Sequence, residues 1–103
     1  MSPPAAAEPP VEERVVALLS QWEADCAHLS NSTRRRQHPA LQKIADLGMA
    51  SVPTLIKHYH RAPRTLEALL RRITTASPSD GLESFEEWRA AWIGWARARG
   101  LTV

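Results

Sequence analysis

FEEWRAAWIGWARARG, residues 85–100, holds three of the chain's four tryptophans within eight positions. Ser84 with Glu87 three positions on has the spacing of a capping box, and Gly100 followed by Leu101 reads as a Schellman-type stop. Between these signals Phe85, Trp88, Trp92 and Trp95 fall within an arc of about 80°, at ~100° per residue. The stretch is a capped amphipathic helix with an aromatic face. Truncating a buried tryptophan costs ~3–5 kcal/mol, against ~5–15 kcal/mol of stability in a whole domain. A chain of 103 residues can hardly leave three such rings in water. We therefore expect Phe85, Trp88, Trp92 and Trp95, together with Trp22, in the core, with Arg99 covering Trp95 as a cation–π cap. Opposite the rings, Ala90, Gly94 and Ala98 recur every four residues. Glycine inside a helix costs about 1 kcal/mol relative to alanine. This face is the candidate seam for a closely packed helix, from the same chain or from a partner, a homodimer included.

Outward from this helix, apolar spacing predicts four more. Pro10 suits the first position of a helix whose stripe is Val15, Leu18, Trp22 and Leu29, with Leu19 and Cys26 at its edge. Ser30 to Thr33 is expected to end it. His38-Pro39 opens a short helix with Leu41, Ile44, Ala45 and Leu47 inward, stopped by Gly48 in a left-handed C′ conformation. Pro53 opens the next, facing inward with Val52, Leu55, Ile56 and Tyr59. Pro63 opens another, with Leu66, Leu69, Leu70 and Ile73 as its stripe. A polar loop over residues 74–82 leads to the tryptophan helix. No segment alternates with period two for long enough to be a strand. The expected fold is all-α: one compact domain over residues 10–103, about five helices packed as hairpins, after a disordered proline- and alanine-rich tail over residues 1–9.

Composition narrows the function. An apolar fraction of 44% and a charged fraction of 23% are ordinary for a globular protein. No apolar run is long enough for a transmembrane segment, so no membrane partner is expected. The first residues lack the positive charge and apolar stretch of a secretory signal. The single cysteine, Cys26, excludes an internal disulfide and fits a reducing compartment, so the cytoplasm is the expected location. The net charge of +2 hides an acidic first helix and a basic middle. Residues 34–72 carry nine Arg or Lys against Asp46 and Glu67. A basic middle is a candidate footprint for an acidic protein or for nucleic acid. Its candidate surface is Arg34, Arg35, Arg36, Lys57, His58, Arg61, Arg64, Arg71 and Arg72.

No catalytic, cofactor or metal motif is present in the sequence. Cys26 and His28, like His58 and His60, are two apart on helices, so their side chains diverge by about 200° and cannot share a metal. No Ser–His–acid arrangement or Gly-rich phosphate loop can be read, and we expect no enzyme and no cofactor. IADLGMASVPTLIKHYHR, residues 44–61, does look like the helix-turn-helix of tetracycline-repressor-type regulators, with Thr54, Lys57, His58 and Arg61 available to a groove. Gly48 comes one residue early for that pattern.

From about Leu18 onward the chain resembles a family of small, all-helical bacterial proteins. HPALQKIADLG, then Pro53, then Pro63 with Leu70, Ile73, Thr74 and Pro78, then AWIGWARARG follow its HPAxQKI…G…P…ITG…AWLxWG pattern over roughly eighty residues. The resemblance implies stacked helix pairs similar to HEAT-type hairpins. It also implies a companion role beside another small protein, of the antitoxin or immunity kind, and brings no assigned activity with it. The chain departs from the pattern at residues 65–70, where the family has the aromatic HWFWAL, at Thr74-Thr75, where it has TG, and at Leu101, where it has tyrosine. The expectation is a non-enzymatic protein-binding module, with a nucleic-acid-binding regulator as the alternative.

Overall fold

Pro10 leads into α1 (Val11–Cys26) in a computed structural model that describes residues 10–28 and 31–103. Glu12 and Glu13 lie in its first turn, where carboxylates complement the helix dipole. The buried stripe is Val15, Leu19, Trp22 and Cys26, spaced by four, three and four. Leu19 and Cys26, expected at the edge, are its centre, and Leu18 is only half-buried. Leu29 and the tail over residues 1–9 lie outside the described residues.

The chain does not pass into a plain loop. Asn31 accepts hydrogen bonds from the Thr33 and Arg34 amides at 2.9 and 3.2 Å, satisfying two orphan donors of a short helix α2 (Ser32–Arg36). Sequence periodicity misses this element because five residues contain no apolar repeat. Trp22 fixes it from below by donating its indole N–H to the Arg35 carbonyl at 2.7 Å.

His38 then caps α3 (Pro39–Asp46), its Nδ1 accepting from the Ala40 amide at 3.0 Å. The other ring nitrogen meets Asp25 at 2.9 Å and so ties α3 to α1. Gly48, at φ +65°, ends α3 as the spacing predicts and starts a 3₁₀ turn (Gly48–Ser51). α4 (Val52–Lys57) buries Val52, Thr54, Leu55 and Ile56 and packs against α1, α5 (Pro63–Thr74) and α6 (Phe85–Ala98). A 3₁₀ turn (Tyr59–Arg61) with Tyr59 fully buried joins α4 to α5.

On α6 the two ends are as the sequence predicts. The Ser84 hydroxyl accepts from the Glu87 amide at 3.1 Å. At the other end the Leu101 and Gly100 amides reach the Ala96 and Arg97 carbonyls, both at 3.0 Å, with Gly100 at φ +78°. This is the full Schellman pattern. All five expected helices are present, with α2 added. One cluster of side chains from α1, α3, α4, α5 and α6 forms the core, and no strand occurs among the described residues.

Candidate functional site

The basic residues of the middle region do not act alike once folded. Lys57 pairs with Glu12 at 2.9 Å and Arg61 with Glu23 at 2.7 Å, so the acidic first helix neutralises both. Lys57 in turn holds the Glu12 carboxyl below its ordinary range. His58 is half-buried at the end of α4. Arg71 turns inward, with Nε 2.6 Å from Glu67 and a terminal nitrogen 2.8 Å from Asp80. Arg72 is exposed and donates to the neutral Gln42. Arg34, Arg35, Arg36 and Arg64 have no acidic partner among the described residues.

Three of those four converge. Arg35, Arg36 and Arg64 line a cleft of about 400 Å³, with Trp22, Phe85 and the Glu23–Arg61 pair. α2 brings Arg35 and Arg36 to one wall because its cap and the Trp22 hydrogen bond hold that short helix in place. Pro63 at the start of α5 brings Arg64 to the other. The Arg35 guanidinium lies 5.5 Å from the Trp22 ring and that of Arg64 lies 5.7 Å from the Phe85 ring. Both distances are in the cation–π range, and each guanidinium offers a planar fork of donors that suits carboxylate or phosphate oxygens. The cleft is thus rich in arginine, with the exposed Phe85 ring at its edge.

Phe85 corrects an expectation. It is 38% exposed, because it stands in the first turn of α6, beyond the end of the core. Instead of packing inward it meets Trp88 edge-on at 5.2 Å and carries Arg64. Trp22 and Trp92 are buried at 1% and 0% exposure. Trp88 and Trp95 are half-buried at the margin. Trp88 donates to the Leu82 carbonyl at 2.8 Å, and Arg99 lies 4.1 Å over Trp95. Ala90, Gly94 and Ala98 are exposed. An added Cβ at Gly94 would meet nothing within 4 Å, so that face is not a seam between helices of this chain.

Of the four residues expected to meet a groove in a helix-turn-helix, Thr54 is turned inward at 5% exposure, and α4 packs against α1, α5 and α6. Lys57 and Arg61 are tied to α1 by the ion pairs above.

A second polar assembly, which sequence reasoning missed, lies in the interior. Glu67 accepts from Tyr59 Oη and Trp92 Nε1, both at 2.8 Å, from Arg71 Nε at 2.6 Å and from Ser79 Oγ at 2.7 Å. Burial alone would raise its pKa, but these donors outweigh that and hold the carboxyl below its ordinary range. The Tyr59 phenol is pushed up by burial and by its bond to the same carboxylate. The Arg71 guanidinium is likewise held charged by Glu67 and Asp80. A carboxylate whose acceptor sites are filled by four donors is a cross-link and not a base, since no acceptor capacity faces solvent. The signal was faint but present: Glu67 and Arg71 are an i,i+4 pair beside a leucine stripe, and a buried tryptophan N–H needs an acceptor.

Among the described residues no three His, Cys, Asp or Glu side chains gather to hold a metal. No helix among them is long and apolar enough to cross a membrane. No protein-family model, curated protein or solved structure matches the chain.

Proposed function

We propose that the protein is a non-enzymatic binding module that engages another protein through its arginine-lined cleft. The observation that carries this reading is the convergence of Arg35, Arg36 and Arg64, none with an acidic partner among the described residues, on one cleft of about 400 Å³ edged by Phe85. Unpaired arginines beside aromatic rings are what protein interfaces use as anchors. The setting we favour is a cytoplasmic bacterial pair of the antitoxin or immunity kind. The resemblance to the small helical family supports it. Thr75, at φ +56°, falls where the family pattern has glycine, the residue that such a backbone favours.

Titration with short duplex DNA at low and moderate salt, read as light-scattering mass, separates this reading from nucleic-acid binding. A protein-directed cleft gives no defined DNA complex at moderate salt. Against the account would be a stoichiometric DNA complex whose affinity falls steeply with salt and which is lost in a variant carrying Arg34→Glu, Arg35→Glu and Arg36→Glu.

A further inference from the structure

The shape of the cationic surface specifies its occupant further. Arg36 and Thr65 border both the arginine cleft and a smaller hollow of about 170 Å³ that continues past Ala68 to Arg72. The two adjoin along the side of α5 that carries Thr65, Ala68 and Arg72. Arg64 and Arg72 are both exposed and stand eight positions apart on this helix, roughly 12 Å along its axis. Between them Ala68 is exposed, and Leu69 beneath it is buried in the core at 4% exposure. Cation, exposed alanine, cation is the order along this face of the helix.

An extended peptide laid here would find no sheet edge among the described residues to pair with. A helix satisfies its own backbone and presents only side chains. A nucleic-acid strand would match the cations and leave the hollow beside Ala68 unfilled. We propose that this side of α5 receives an acidic amphipathic helix of the partner protein. Two carboxylates about two turns apart meet Arg64 and Arg72, a third acid can reach Arg36, and a leucine-sized side chain covers Ala68. This rests on the protein-binding reading above and adds the partner's chemistry to it.

The test is fluorescence anisotropy of the full chain with a labelled helical peptide carrying glutamates seven positions apart around a central leucine, and with a scrambled peptide of the same composition. The helical probe is expected to bind, and scrambling to weaken it by about tenfold or more. Ala68→Trp, which changes an exposed position and leaves the core untouched, is expected to weaken the probe to a similar degree, as is the pair Arg64→Glu with Arg72→Glu. Circular dichroism checks that each variant keeps the wild-type helix content. Equal binding of the scrambled peptide, or binding unchanged by Ala68→Trp, would overturn the proposal in favour of mere charge attraction. Absence of probe binding also overturns it. In that case a natural partner that is still lost on charge reversal of Arg35, Arg36 and Arg64 leaves the protein-binding reading standing. Duplex DNA that displaces the probe and binds more tightly would bring down both.

Discussion

Glu67 joins four separate parts of the chain with one carboxylate. Tyr59 reaches it from the turn before α5, Trp92 from α6, Ser79 from the loop over residues 75–84 and Arg71 from one turn further along α5. Removing a buried, hydrogen-bonded charge strands all its donors, and breaking such an arrangement costs ~3–5 kcal/mol. Glu67→Ala is accordingly expected to lose that much in urea unfolding. Glu67→Gln keeps the shape and part of the bonding and is expected to lose about 1–3 kcal/mol. The pH dependence follows in sign from the lowered carboxyl. Above the ordinary value of 4.5 the stabilisation from Glu67 is fully present. As pH falls below that value and through the depressed folded one, the native state must take up a proton at a cost, and stability declines. The wild type should show this acid-side slope in thermal melts as pH falls below 4.5, and Glu67→Gln should flatten it. An unchanged slope would show that Glu67 is not the group responsible.

At the scale of elements, what was legible in the sequence is what rests on period and punctuation. Pro39, Pro53 and Pro63 each stand in a first helical turn, and Gly48 and Gly100 both adopt positive φ. The leucine stripe of α5 is buried at Leu66, Leu69 and Leu70. The elements that were not legible depend on single long-range bonds. α2 exists through an Asn31 cap and the Trp22 indole, and Glu67 owes its place to donors up to twenty-five positions away. Periodicity carries no information about either. The same limit put Phe85 in the core, because a helical arc says nothing about where the core ends along the axis.

Two substitutions test elements directly. Thr75 ends α5 at φ +56°, a conformation that costs an L-residue roughly 1–2 kcal/mol and is worst for β-branched side chains. Thr75→Gly is expected to stabilise by about 0.5–1 kcal/mol after the entropy of the added glycine is subtracted. A drop in melting temperature would mean that the Thr75 hydroxyl, which bonds the Thr74 carbonyl at 2.6 Å, outweighs the strain. Gly94 lies exposed in the middle of α6 with free space at its Cβ position. Gly94→Ala is therefore expected to raise stability by ~0.5–1 kcal/mol and leave the light-scattering mass unchanged. A loss of self-association in that variant would instead place a second copy against the Ala90, Gly94 and Ala98 face.

Over the whole molecule, folding divides the arginines of the middle region into paired and unpaired ones. α1 takes Lys57 and Arg61 into ion pairs, and Glu67 with Asp80 takes Arg71 inward. Among the arginines of the middle region, those with no acidic partner among the described residues are Arg34, Arg35, Arg36 and Arg64, with Arg72 held only by a neutral amide. Three of these face one cleft, which adjoins the smaller hollow along α5. The formal charge of +2 gives little hint of this, because the paired and unpaired arginines are intermixed along the sequence. The most direct measurement is a ¹⁵N-labelled amide spectrum of the full chain, recorded while the acidic helical peptide is added at moderate salt. The account predicts saturable shifts grouped on α2, on the side of α5 around Thr65 and Ala68, and at the start of α6 near Phe85. Shifts centred on α4 or spread evenly over every arginine-bearing segment would contradict it.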